Sequence, residues 1–254
     1  MVELFFWPAL LAYGEAALAY GSPRTTRAAT WGVRLGWLAQ AALLAVQAAR
    51  ADRFPWTGWA ASLNLFVWLV VSAYLIWGCR PRFRLLGLAV MPLAAVLFLV
   101  ARLGGGTDSH PHGDSYGSLF LVVHVGAVLA AFAGFTLAAG LAALYLWQER
   151  RLKRRDAGIL RLRVPPLASL EALATRTIDV SLALLTVGLA VGLARLHARG
   201  DGLDALEAVT LLTWVVYGAF VVTRPRGRRA AYLALGGFVL VILVRLALAG
   251  GHFA

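Results

Sequence analysis

From Leu119 to Trp147 the chain carries no formally charged side chain for 29 residues. A bilayer offers no water to a peptide group, so a run facing hydrocarbon must close its backbone hydrogen bonds within itself, as a helix does. About 20 apolar residues suffice to cross the bilayer, and this run is longer. It ends in Gln148-Glu149-Arg150-Arg151-Leu152-Lys153-Arg154-Arg155, and a basic cluster directly after a span marks the cytoplasmic side. The helix is therefore expected to run from outside to inside. His124 lies near its outer end, roughly 12 Å along the helix axis from Tyr116 at helical rise.

Further apolar runs fall at about 3–20, 31–50, 57–79, 83–103, 178–197, 205–223 and 229–249. Together with 116–147 they predict eight transmembrane helices, an all-α polytopic protein and one integral membrane domain over 1–254. The 61% hydrophobic and 14% charged composition agrees, as does a mean hydropathy of +0.76. Segments 21–30, 80–84, 148–177 and 224–229 hold 2, 3, 8 and 4 Lys or Arg, whereas 50–56, 104–115 and 195–204 hold 2, 0 and 2. The strict alternation places the first group in the cytoplasm and both termini outside. Net charge +12 then reads as topology and contact with anionic lipid, not as a nucleic-acid surface. The expected location is the bacterial cytoplasmic (inner) membrane. Met1-Val2-Glu3 lacks the basic start of a cleaved leader, so the first helix is expected to stay.

With that orientation all five histidines, His110, His112, His124, His197 and His252, fall on the outer half. His110 and His112 sit in a Gly/Pro/Asp-rich loop, where His-x-His is usually solvated decoration. His197 stands where interfacial residues anchor a helix. His124 differs, because an ionisable ring inside a span is either a functional group or a partner in an interhelical hydrogen bond. Glu15, Arg34, Gln40, Asn64, Asp179 and Arg245 are further polar residues within spans. Glu15 and Asp179 would be the elements of a proton path in a small-substrate transporter. Gly126, Ala130, Gly134 and Ala138 form a small-residue face suited to close helix packing. The single Cys79 excludes an internal disulfide and CxxC chemistry. Pro165 to Arg176 reads as an amphipathic surface stretch capped by Ser169, able to dock a soluble partner. With no phosphate loop and no Ser/His/Asp arrangement in an interpretable context, no enzymatic activity is expected.

Four pieces carry a resemblance to a known family. They are Val122-Val123-His124-Val125; Leu146-Trp147-Gln148-Glu149-Arg150-Arg151-Leu152-Lys153; Pro165-Pro166-Leu167-Ala168-Ser169-Leu170-Glu171 leading to Leu184-Leu185-Thr186-Val187-Gly188; and Leu211-Leu212-Thr213-Trp214-Val215-Val216-Tyr217 followed by Gly227-Arg228-Arg229-Ala230-Ala231. In this order they resemble the cytochrome c assembly family of membrane proteins, which includes the haem-handling CcsA and CcmC proteins and the HemX and YpjD branches. The terminal Gly250-Gly251-His252-Phe253 is similar to the family's closing segment. The resemblance implies that His124 and His252 are the outward haem-iron ligands, that the cofactor is non-covalent haem b, and that the work is cytochrome c maturation, haem transport or control of haem biosynthesis. Arg195, Arg199 and Arg245 are expected partners of the haem propionates. Other assembly or haem-biosynthesis proteins are the implied partners. The chain departs from the family where a tryptophan-rich outer loop would fall: 193–203 contains no tryptophan, although Asp204 and Glu207 keep the acidic end, and Val222 stands where some members carry a histidine. That pattern is closer to the HemX-like branch, which implies an alternative role: a membrane scaffold acting through 148–177, for example on glutamyl-tRNA reductase.

The topology is tested by single-cysteine labelling of intact cells in a Cys79→Ser background. An impermeant thiol reagent is expected to modify a cysteine placed at Gly113 and to spare one at Gly158; the reverse pattern inverts the orientation.

Overall fold

The computed structural model describes residues 2–51, 55–56, 58–78, 83–107, 118–155, 164–199 and 205–250. These residues form α1 (Val2–Ala19), α2 (Thr26–Arg50), α3 (Trp59–Ala73), α4 (Arg84–Leu103), α5 (Ser118–Lys153), α6 (Leu167–Arg199), α7 (Ala205–Thr223) and α8 (Arg228–Gly250). A 3-10 turn, Pro23–Thr25, precedes α2, and a π-turn, Tyr74–Gly78, extends α3. Every regular element among the described residues is helical, and each of the eight helices overlaps one of the eight apolar runs. By length and apolarity Trp59–Trp77, Leu85–Leu103, Val122–Lys153 and Leu167–Ala194 are sufficient to cross a membrane; Leu4–Ala19 and Glu207–Thr223 are shorter apolar helices. The long helix α2 is diluted by Arg27, Arg34, Gln40, Gln47 and Arg50.

Two compact units divide the chain, Met1–Ser118 and Leu119–Ala254. The first, α1 to α4, is held by aromatic packing and by a buried polar chain. Phe98 of α4 meets Phe6 and Tyr13 of α1, with ring centroids 4.9 and 6.3 Å apart. Gly36 of α2 makes room for the Tyr13 ring, which a Cβ there would approach to 2.7 Å. The Tyr13 hydroxyl donates to Gln40 Oε1 at 2.8 Å, and Gln40 Nε2 donates to Asn64 Oδ1 and to the Asn64 carbonyl at 2.9 and 3.0 Å. Asn64 Nδ2 donates to Gln47 Oε1 at 3.1 Å, and Gln47 Nε2 to the Gly106 carbonyl at 3.1 Å. Gln40, Gln47 and Asn64 are fully buried. The chain links α1, α2, α3 and the turn after α4 at sites where water cannot substitute for a missing partner. Arg34, by contrast, is exposed and lies over the Trp31 ring at 5.0 Å, as its place near a helix end allows.

The second unit is built around α5. Its 36 residues extend about 54 Å at 1.5 Å per residue, well past a hydrocarbon core of about 30 Å. Its middle is buried, with Phe132, Phe135, Leu137, Ala138 and Leu141 essentially inaccessible. Helix α6 runs antiparallel to it. Gly134 admits Ser181, whose hydroxyl occupies the space a Cβ would take; Gly188, further along α6, faces Val128, nearer the start of α5. Gly126 has open space around it instead, so the small-residue face closes at Gly134 and not along its full length. Phe135 stacks on Tyr217 of α7 at 3.7 Å between centroids and 2° between planes. The Tyr217 hydroxyl donates to the Ala234 carbonyl of α8 at 3.1 Å, and Gly237 leaves the room that its ring needs.

One local expectation is corrected. Leu167 to Arg176 is not a separate surface helix capped by Ser169; it is the first part of the continuous 33-residue α6. The Ser169 amide already donates to the Pro166 carbonyl at 2.9 Å. Pro165 and Pro166 set the start, since proline fits a first helical turn but not a helix interior. After them no breaker occurs before the apolar run, so the helix propagates.

Asn64→Ala removes donors and acceptors that Gln40 and Gln47 require. An interhelical hydrogen bond in a membrane contributes about 0.6 kcal/mol on average, and each buried group left unpaired costs about 1–3 kcal/mol. A loss of about 1–3 kcal/mol is expected for Asn64→Ala in detergent unfolding, while Gly14→Ala, where a Cβ meets nothing within 4 Å, should leave stability unchanged or slightly raised.

Candidate functional site

His124 stands six residues into α5, about 9 Å from its first residue at helical rise, and its ring is half-buried. Its Nδ1 lies 2.7 Å from the Gly188 carbonyl oxygen of α6. A carbonyl oxygen can only accept, so Nδ1 must carry the proton and donate. In a neutral imidazole this leaves Nε2 with its lone pair, and among the described residues nothing hydrogen-bonds to it. The ring is seated where α6 has no side chain: a Cβ on Gly192 would lie 2.5 Å from His124 Cε1 and 2.9 Å from Nδ1. A Cβ on Gly188 would fall 2.6 Å from Val128 Cγ2. Both glycines are needed for α6 to approach this closely, one for the ring and one for the residue a turn below it.

This arrangement fixes the ring orientation with Nδ1 as the donor, so that the neutral form of the ring presents Nε2 as its one ligand atom. Metal-binding histidines usually have their second ring nitrogen tied to a carbonyl or carboxylate in this way. A bare divalent ion would need several protein ligands, and among the described residues no three His, Cys, Asp or Glu side chains converge. A porphyrin brings four nitrogens of its own and asks the protein for only one or two axial ligands, so the donor at His124 suits an iron porphyrin.

The remaining predicted ligands are placed less completely. His252 lies outside the described residues, as do His110, His112 and Cys79. Arg195, His197 and Arg199 belong to the last turns of α6, beyond Gly192, and Arg245 to the last turns of α8; their side chains are outside the described set. The structure thus brings His124 together with Gly188 and Gly192, two residues that the sequence reading did not assign to the site. The available signal was the spacing Gly188-Leu189-Ala190-Val191-Gly192, a small-xxx-small pair within an apolar span, which marks close helix contact.

The carboxylates of the transporter reading are not poised as a relay. Asp179 chelates Arg224 through both oxygens, at 2.8 and 2.9 Å, and Glu15 is exposed on α1. The far end of the second unit, away from His124, instead gathers three of the sequence pieces quoted above. Gln148 Nε2 donates to the Pro165 carbonyl at 3.0 Å, Glu149 pairs with Lys153 and Arg228 at 2.8 and 3.2 Å, and Glu171 Oε1 accepts from the Gly227 amide at 2.9 Å. Gly227 takes a φ of +61°, which suits glycine at the turn into α8. These contacts clamp the ends of α5, α6 and α8, and so hold α6 in the register that brings Gly188 to His124.

Similarity to known proteins agrees with the residues so assembled. The chain is 25% identical to the cytochrome c biogenesis protein CcsA of Microcystis aeruginosa, over 91% of this chain and 87% of that protein. It is 26% identical to CcsA of Guillardia theta, over 74% and 71%, and 26% identical to an uncharacterized 28.8 kDa protein of Azospirillum brasilense, over 73% of each. Residues 56–249, a stretch that takes in His124, Gly188, Gly192 and the clamp at the opposite end, match the family described as Cytochrome C assembly protein, and the chain therefore belongs to the cytochrome c assembly protein family.

Proposed function

We propose that this protein is a non-enzymatic haem-handling membrane protein of cytochrome c maturation, in which His124 Nε2 is an axial ligand of haem iron. The observation that carries the reading is the 2.7 Å contact of Nδ1 with the Gly188 carbonyl, which leaves Nε2 as the ligating atom. The iron of a non-covalently held haem b supplies one-electron chemistry when bound; the protein's part is to hold and orient it. In this reading His252 would supply the second ligand to the iron, and Arg195, Arg199 and Arg245 would neutralise the propionates. Eight spans in a bacterial cytoplasmic membrane, with both termini outside, would place His124 toward the outer face, where apocytochrome is matured. Tryptophan is absent from 193–203, which favours a HemX-like branch, and without aromatic stacking from that loop iron ligation carries most of the affinity.

A second reading is favoured by the surface at the far end of α5 and α6. Arg150, Lys153, Arg154, Arg155, Arg176, Arg226 and Arg229 are all exposed there, and an acidic soluble partner, such as glutamyl-tRNA reductase in the HemX-like role, would find a complementary surface. Because Gln148, Glu149 and Glu171 are tied into the helix clamp, the docking elements in this reading are the outward cations. Charge reversal at Arg154 and Arg155 should then abolish partner recovery in pull-downs from membranes, and unchanged recovery would remove this reading.

The haem reading is checked by absorption spectra of the purified protein with and without haemin. A Soret shift is expected for the wild type. His124→Ala should abolish stable retention, and His252→Ala should weaken binding in a way that added imidazole partly restores. A shift indifferent to both substitutions counts against ligation by this pair.

A further inference from the structure

The seat of the His124 ring contains an asymmetry that the family resemblance does not specify. Four glycines lie near the α5–α6 contact, and they are not equivalent. At Gly126, two residues from His124 on its own helix, an added methyl group meets nothing within 4 Å. At Gly134 it would strike the Ser181 hydroxyl, and at Gly188 the Val128 side chain at 2.6 Å, with the backbone oxygen of His124 next at 3.5 Å. At Gly192 alone would it strike the ring, 2.5 Å from Cε1 and 2.9 Å from Nδ1, with Nε2 at 3.6 Å. Those distances are too short for carbon against carbon or nitrogen, so a methyl group there has to push the ring away. The edge it would push is the Cε1–Nδ1 edge, which holds the hydrogen bond to Gly188.

We infer that Gly192 is a positioning residue for His124: by lacking a side chain it lets Nδ1–H reach the Gly188 carbonyl, and this selects the tautomer in which Nε2 is the only ligand atom. The inference rests on the haem-ligand reading for its consequence but not for its geometry. A ring nitrogen that donates to a carbonyl makes the opposite nitrogen a stronger electron donor. A stronger axial donor favours ferric over ferrous iron, and the axial ligand and its hydrogen bonds are among the means by which a protein sets a haem potential. Gly188 and Gly192 together would thus tune the site toward holding oxidised haem. Loss of such an outer partner typically lowers metal affinity by about 10- to 100-fold. Gly192 acts through His124 and is not itself a ligand.

The test begins with the haem-free full-length protein in nanodiscs, with histidine ring nitrogens labelled with 15N. The His124 signals are identified as those missing from His124→Gln. Nitrogen shifts separate a protonated ring nitrogen from a bare one, so the wild type should report a protonated Nδ1 and a bare Nε2. Gly192→Ala should shift His124 toward the other tautomer or a mixture, and Gly126→Ala should match the wild type. With haemin added, Gly192→Ala is expected to bind about 10- to 100-fold more weakly and to show a raised midpoint potential in the haem that remains. Gly126→Ala should change neither. A bare Nδ1 in the wild type overturns the inference without any variant having to fold, and so does a Gly192→Ala protein that keeps the wild-type tautomer. If the tautomer and its dependence on Gly192 are as stated but haemin never binds, the positioning role of Gly192 stands and the haem reading falls.

Discussion

A polar group in a membrane has no water to fall back on, and the structure depends on that constraint at every level. It makes the described backbone helical, because only internal hydrogen bonding satisfies a peptide in hydrocarbon. It also governs the few polar side chains that the helices bury. Tyr13, Gln40, Asn64 and Gln47 satisfy one another and end on the Gly106 carbonyl. Tyr217 spends its hydroxyl on the Ala234 carbonyl. His124 uses one ring nitrogen on the Gly188 carbonyl. Among these groups the imidazole is distinctive in having a strong donor atom that no described residue engages.

Close approach is the second theme. Helices in lipid gain nothing from hiding apolar surface from one another, since the tails are equally apolar, and packing contacts decide association. Glycine and small residues occur where an aromatic ring or a hydroxyl must enter the opposing helix: Gly36 against Tyr13, Gly134 against Ser181, Gly237 against Tyr217 and Gly192 against His124. The same device that packs the second unit therefore shapes the seat of the His124 ring. At the opposite end, Gln148, Glu149 and Glu171 hold Pro165, Arg228 and Gly227. A helix is stiff along its axis, so a clamp at one end of α5 and α6 fixes their register at the other.

Much of this was legible in the residues themselves. The uncharged run from Leu119 to Trp147, with its basic exit, identified α5, and His124 stood out as an ionisable ring within an apolar helix. The partner of that ring was not legible: the Gly188 carbonyl is a backbone atom 64 positions away, and sequence names only side chains. Gln40 and Asn64 were visible as polar residues within spans, but their pairing with each other, with Gln47 and with Tyr13 depends on which helix faces meet. Ser169 was misread for a related reason, because a capping residue is recognised by local pattern, while the start of α6 was set by Pro165 and Pro166.

The sequence by itself determined the helices, the family and the residue type able to ligate iron, since apolar length, charge placement and an imidazole within a span act locally, each within one stretch of chain. Tertiary structure alone decided the tautomer of His124, the seat formed by Gly188 and Gly192, and the pairing of Asp179 with Arg224. Those depend on the rotation and register of one helix against another, which arise from packing in three dimensions and from hydrogen bonds that close only when distant turns are brought together.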